Sequence, residues 1–434
     1  HIAALCEYLA GVSPSRREPD KRTYISGPQH AVLVDSTQGL FMIGERLNVR
    51  GSKKVREAVE SGNEIDHGAL EEVIHEQVHE LGLNVVDVCM DSNVVDTVTT
   101  LKEVVHRQTT DFSGAMCLDS FSFEALVEAV KVYPGRPILN SISLEEVAPG
   151  TTKLEALLHA TAEHKPMYIA LVTGPEGPAS TAQDKHRLAA EILEAAGKFS
   201  VEPEQLFIDV NVFPIGAESV EGMNFALESL EAIPLIKGLH KDLRVICGVG
   251  NLTNGLAQKP YMRMVLTSTW LDEARKRGLD AAIVNPNHYV YVDNLEKRDY
   301  ELALKVILQH DMDAFAALEQ IAQEKRGEKS TRRSTYDDLP VELAICEKIK
   351  DGFKEREHGS LELQGHVYRY SDRIVRQVAE IVQHHEPLEF INTYLMKAMN
   401  ELGDRFARGE VSLPHLLKSA DVMKQVMGFL EEYM

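Results

Sequence analysis

The chain has 434 residues, which allows two or three domains at about 100 to 200 residues each and excludes a small scaffold held together by disulfides. Its 67 acidic against 46 basic residues leave a formal charge of -21, a surface that repels phosphate backbones and anionic bilayers, so neither nucleic acid nor a membrane is an expected partner. Hydrophobic content of 44%, with no apolar run approaching the roughly 20 residues needed to cross a bilayer, reads as a soluble globular protein.

The five cysteines, Cys6, Cys89, Cys117, Cys247 and Cys346, are widely separated, and three lie in apolar strand-like runs. That is the pattern of reduced, buried thiols in a cytoplasmic protein, and without a CxxC pair no structural zinc site is expected.

In chain order, HIAALCEYLAG reads as an amphipathic helix with no signal-like segment before it, so the chain is expected to begin inside something larger. Residues 12 to 32 are rich in Pro, Ser and charge without a hydrophobic period, which makes 1–37 a terminal remnant and linker. Eight short apolar runs then follow: FMIGER at 41, VVDVCMD at 85, AMCLDS at 115, ILNSIS at 138, MYIALV at 167, LFIDVN at 206, VICGVGN at 245 and AAIVNP at 281. Amphipathic helical patterns separate them, so residues 38–325 predict a parallel α/β fold, a closed (β/α)8 TIM barrel. Neither a glycine-rich dinucleotide fingerprint nor GxxxxGKS is present. Residues 326–338 are polar, basic and aperiodic and read as a linker. Residues 339–434 read as all-helical, with segments at 339–357, 371–385, 387–407 and 413–433 forming a small four-helix bundle.

Chemistry in such a barrel sits at the carboxyl ends of the strands. Seven of the eight runs end there in a carboxylate or carboxamide: Glu45; Asp91 with Asn93; Asp119; Asn140; Asp209 with Asn211; Asn251; and Asn285. Any one of them could be an ordinary helix cap or turn residue. As a set with no His, Cys or Lys among them, they suit the alternating donors and acceptors of a pterin or purine edge, since a carboxylate accepts two parallel bonds from an amino-pyrimidine. A Mg²⁺ site built from the same oxygens is the alternative, disfavoured by the separation of the strands.

GERLNVRGS, DSN after the second run, LDSFSFEALVEA, ILNSISLEE, FIDVNVFPIG, GVGN and AAIVNP together resemble the pterin-binding methyltransferases, most closely the folate modules of cobalamin-dependent methionine synthases. The resemblance implies that Asp119, Asn140 and Asp209 grip the pterin ring, with Glu45, Asp91 and Asn93 around it and Asn251 near the N5 nitrogen. It implies 5-methyltetrahydrofolate as substrate and methyl transfer from N5 to cob(I)alamin. N5 is a poor leaving group unless it gains a proton, and with no His or Lys at the rim the expected device is Asn251 and a water, polarised by Asp119 and Asp209, sharing a proton with the nitrogen. Two positions depart from the family pattern: Gly250 where Ser is common and Lys259 where Arg is common.

The five methionines Met396, Met399, Met423, Met427 and Met434 suit core filling in a bundle. The segment NELGDRFARGEVSLPHLLKSADVMKQVMGFLEEY resembles the helical cap that precedes a cobalamin-binding Rossmann domain, which implies that Phe406, Leu413, Leu416 and Leu417 lie over the corrin. The opening segment resembles the last helix of a homocysteine-methyltransferase barrel. The implied partners are those two flanking domains of one longer chain, with zinc only in the homocysteine domain. Two other classes stay open: a different pterin enzyme, such as a dihydropteroate synthase or a corrinoid protein methyltransferase, and a non-catalytic corrinoid-docking scaffold.

Overall fold

The computed structural model describes Ala3 and residues 22–37, 39–62, 64–83, 85–108, 114–215, 223–256, 259–337, 339–407 and 413–434, with the backbone alone at 79–80, 326–337, 356, 406–407, 413–415 and 417–418. All eight apolar runs are strands: β1 Phe41–Asn48, β2 Val85–Cys89, β3 Ala115–Asp119, β4 Ile138–Ile142, β5 Met167–Leu171, β6 Leu206–Asp209, β7 Arg244–Gly248 and β8 Ala281–Val284. They pair in parallel and in sequence order, with β8 returning to β1, to close the barrel. Side chains alternate between the faces of a strand, so each run divides into two sets. Val86, Val88, Met116, Leu118, Leu139, Ala170, Ile208 and Val245 pack under the surrounding helices. Ile43, Val85, Ala115, Cys117, Ile138, Ile169, Phe207 and Ile283 fill the interior. Rim loops supply the helix caps: Ser52, Ser122, Thr152, Thr181 and Asn224 each accept a backbone N–H of the first turn.

Three boundaries differ from the sequence reading. Residues within 1–37 belong to the barrel and not to a linker: the strands Tyr24–Ser26 and Ala31–Leu33 form a hairpin whose Ile25, followed by Val34, joins the interior cluster with Phe41 and Phe207. Arg136 Nη1 donates to Tyr24 O at 2.9 Å, and Tyr133 Oη donates to Ser26 O at 3.0 Å. Three-residue strands around a Ser-Gly-Pro turn are too short to show a period. The stretch read as a linker, 326–338, is helical as far as Asp337, within the helix Met312–Asp337. Lys, Arg and Glu favour a helix even where no apolar stripe marks it.

The C-terminal part is not all-helical. The helix expected at 339–357 ends at Lys350, and the strands Arg356–Leu363 and His366–Asp372 form a hairpin that turns at Gln364 and Gly365, with φ of 53° and 82°. Its alternation, SLELQGHVYRYS, carries a strand period that the surrounding helices masked. The helices Val341–Lys350 and Arg373–Ile381, the helical stretch 387–407 and the helix Leu413–Tyr433 enclose a core of Ile345, Ile349, Val378, Phe390, Leu395, Val422, Val426 and Leu430, and Tyr368 of the hairpin meets Phe429 edge-on at 5.5 Å. Met399, Met423 and Met427 pack against this core, whereas Met396 and Met434 are exposed. No helix among the described residues is long and apolar enough to cross a membrane. Cys89, Cys117, Cys247 and Cys346 are free and buried, and Cys6 lies outside the described residues.

Candidate functional site

The two-residue period that fills the barrel interior decides which polar side chains meet. Two positions above Ile43, Val85, Cys117, Ile138 and Phe207 on the same inner faces stand Glu45, Asp87, Asp119, Asn140 and Asp209. Parallel register sets Asp119 beside Cys89 on one side and Asn140 on the other. The apolar lower layer excludes water from below, and the carboxyls respond. Burial, then repulsion from Asp119, raises Glu45 to about 7 against the pull of Arg263. Burial likewise lifts Asp119 to about 7, although the neighbouring Cys89 thiol and the charges of Lys153 and Arg50 oppose the rise. Asp209 rises to about 6 through burial, opposed by the N–H groups of Asn211 and Gly248 and by Lys185.

Asp87, absent from the sequence-based set, is fully enclosed and pushed well above the carboxylate range by burial and by Asp119. The nearby Cys117 thiol and Asn140 amide oppose that rise, and Asp87 Oδ1 has no hydrogen-bond partner among the described residues. Its place in the middle of VVDVC, one period below the strand end, was the signal that could have found it.

Other expected residues serve the chain itself. Asp91 accepts from Ser120 Oγ at 2.6 Å and from the Phe121 N–H at 2.8 Å, which occupies both carboxylate oxygens. Asn211 donates through Nδ2 to Val172 O at 3.2 Å and to Thr173 Oγ1 at 2.9 Å. Asn285 caps the turn Pro286–His288 by accepting from the Asn287 N–H at 3.1 Å. Asn93 is exposed in the bend after β2. Asn251 is exposed in the turn Val249–Thr253, and its Oδ1 accepts from Asn254 Nδ2 at 3.3 Å.

The expectation that no Lys or His stands among these groups is corrected. Lys153, the first residue of the helix after β4, lies within the field of Asp119 and Asp91, and burial lowers its pKa. Lys185, in the helix after β5, is fully buried and lowered to about 7 by burial against the pull of Asp209. Its Nζ donates to Asn211 O at 3.1 Å and Ser229 Oγ at 2.6 Å and lies 5.3 Å from the Phe213 ring centroid. His288 follows β8, and burial together with Arg263 and Arg46 lowers it to about 4. These residues escaped a search confined to strand ends because two come from first helical turns, which also face the rim.

Both family departures have a local reason. A Cβ at Gly250 would sit 2.8 Å from Glu45 Oε2, so a serine could not coexist with this glutamate rotamer. Lys259 pairs with Glu319 at 2.6 Å, and the cation that acts on Glu45 is Arg263, one helical turn later. Among the described residues no group of three or more His, Cys, Asp or Glu is placed to hold a metal ion. Of the expected corrin-covering residues only Leu416 has a described side chain, half-buried; those of Phe406, Leu413 and Leu417 lie outside the described set.

The site thus offers carboxyls that can gain or lose a proton near neutrality beside an oriented carboxamide, a combination suited to a flat heterocycle with several N–H donors. Residues 370–431 match the B12 binding domain family. The chain is 26% identical over 440 residues to a methionine synthase of Mycobacterium tuberculosis, covering 100% of this chain and 35% of the relative, and 26% identical over 416 residues to the methionine synthase of Mycobacterium leprae, covering 94% and 33%. It spans about a third of the length of these curated relatives. Among solved structures, the dihydropteroate synthase of Xanthomonas albilineans in complex with 7,8-dihydropteroate is similar at a TM-score of 0.44 and 16% identity, covering 65% of this chain and 97% of that one. Residues 44–285, more than half of the chain and running from within β1 to the end of β8, match the pterin binding enzyme family, and the chain belongs to that family.

Proposed function

We propose that the barrel binds 5-methyltetrahydrofolate by its pterin ring and releases the N5 methyl group to cob(I)alamin, the folate half of methionine formation from homocysteine. The observation that carries this reading is the inner-face set of Asp119, Asn140 and Asp209 above an apolar floor, with two of its carboxyls raised to about 7 and about 6. The pterin match and the B12 match in one chain, and the methionine synthase relatives, support the same reading. The homocysteine domain with its zinc and the cobalamin-binding Rossmann domain would be supplied by other parts of a longer chain.

The ionised carboxyl of Asp119 or Asp209 accepts from the amino-pyrimidine edge of the pterin, and Asn140 donates and accepts at the neighbouring ring positions. Departure of the methyl group would leave N5 as a poor anionic leaving group, so N5 must gain a proton or a strong hydrogen bond by the transition state. Asn251 supplies the hydrogen bond, and Glu45, beside Gly250 and close to neutrality in its affinity for a proton, holds the proton that reaches N5 directly or through water. Cobalamin, when bound, supplies the cobalt nucleophile that takes the methyl group.

Calorimetric titration with 5-methyltetrahydrofolate tests the site: Asp119→Ala and Asn140→Ala should each weaken binding about 10-fold or more. If both bind like the parent, the assignment is wrong. Asn251→Ala should slow single-turnover methyl transfer about 10-fold or more with a smaller effect on binding.

A further inference from the structure

The most exposed large apolar side chain among the described residues lies at the rim. Phe121, two residues beyond Asp119, is 76% exposed, and Val94 on the neighbouring loop is 68% exposed. An aromatic ring left in water on a loose loop would mean little, but this one is held in place. Its N–H donates to Asp91 Oδ2 at 2.8 Å, Ser120 Oγ donates to Asp91 Oδ1 at 2.6 Å, and the Ser122 N–H donates to Ser120 Oγ at 3.0 Å. Asp91 is itself buried, so the loop is fixed to the barrel wall by a carboxylate both of whose oxygens accept from it.

Arg50, on the loop after β1, completes the arrangement. Its guanidinium lies 5.3 Å from the Phe121 ring centroid, and its Nε donates to Asp91 O at 3.3 Å. Its terminal nitrogens make no hydrogen bond or ion pair among the described residues, and the side chain is exposed. A fixed, solvent-facing aromatic ring beside a planar cation whose terminal nitrogens make no hydrogen bond among the described residues presents two complementary surfaces: a face for another ring and a fork for a carboxylate.

We propose that Phe121 and Arg50 form a subsite outside the barrel for the part of the ligand that projects from the pterin pocket, an aromatic ring ending in a carboxylate tail. The proposal rests on the pterin reading above and deepens it, since the arylamide and glutamate of a folate have this chemistry and a bare pterin has neither. Phe121 stacks on the aryl ring, Arg50 pairs with the tail carboxylate, and Asp91 is a positioning residue that holds the loop.

The test compares two ligands on the whole chain by calorimetry: 5-methyltetrahydrofolate and 6-methyltetrahydropterin, which lacks the aryl tail. Phe121→Ala should weaken folate about 3- to 20-fold and leave the pterin within about 2-fold, while Phe121→Tyr retains folate affinity. Arg50→Gln should weaken folate and flatten the salt dependence of its binding, again without effect on the pterin. Unchanged folate affinity in Phe121→Ala, with the parent binding both ligands, overturns the subsite and leaves the pterin reading intact. Equal weakening of both ligands also overturns it, by reducing Phe121 to a support for Asp119. A parent that binds neither ligand refutes the pterin reading itself.

Discussion

Replacing Glu45 with Gln removes one ionisable group from the crowded inner face while keeping its size and hydrogen-bonding shape. A glutamate raised from 4.5 to about 7 takes up its proton more readily in the folded barrel than in the unfolded chain. Its contribution to stability is therefore fully present below about pH 4.5 and is lost as pH rises through about 7. The difference corresponds to a ceiling of about 3 kcal/mol, and the half-buried position of the side chain brings the expectation nearer to 2 kcal/mol. Parent and Glu45→Gln should thus unfold at similar urea concentrations near pH 4.5, and the variant should be the more stable by about 2 kcal/mol near pH 8.5. Loss of the Glu45 charge also eases ionisation of Asp87, which Glu45 repels, and adds in the same direction. The protein carries its own reporter: its single tryptophan, Trp270, is fully buried in the barrel and donates to Ala226 O at 3.0 Å, so its fluorescence follows barrel unfolding. A stability difference between parent and variant that does not change with pH would refute the reasoning.

Gly250→Ala should cost no more than about 1 kcal/mol, because the atom its methyl group meets at 2.8 Å is Oε2, the mobile end of the Glu45 side chain, and the same change in a Glu45→Ala background should cost nothing. Equal losses in both backgrounds, measured by urea unfolding, would contradict that contact. Ile25→Ala should cost about 2–4 kcal/mol, since the side chain is fully buried in the barrel interior. A loss below about 1 kcal/mol in the Trp270 signal would mean that the N-terminal hairpin does not belong to the barrel core.

The repeated apolar runs and intervening helical patterns made the barrel legible from sequence, because a parallel strand covered on both faces must be apolar nearly throughout. The same logic marked Asp119, Asn140 and Asp209, the polar residues that end such runs. The register of closure, a tertiary property, decided which of the rim residues face inward together. It enclosed Asp87 and brought Glu45 into the field of Asp119. It also divided the carboxylates and carboxamides by use: Asp91, Asn211 and Asn285 are taken up by hydrogen bonds to their own chain. Lys153 and Lys185 could not be placed from strand ends, since a helix of the next layer delivers each of them.

The two hairpins show the complementary limit. One has strands too short for any period, and the other has a clear alternation set among helices; each becomes identifiable when its side chains meet a core, Ile25 in the barrel and Tyr368 in the C-terminal bundle. Local pattern determined that this chain forms a parallel barrel followed by a helix-rich unit and which residue types reach the rim. Burial, which depends on every strand and helix at once, decided which of those residues hold a proton near neutrality and which merely cap the chain.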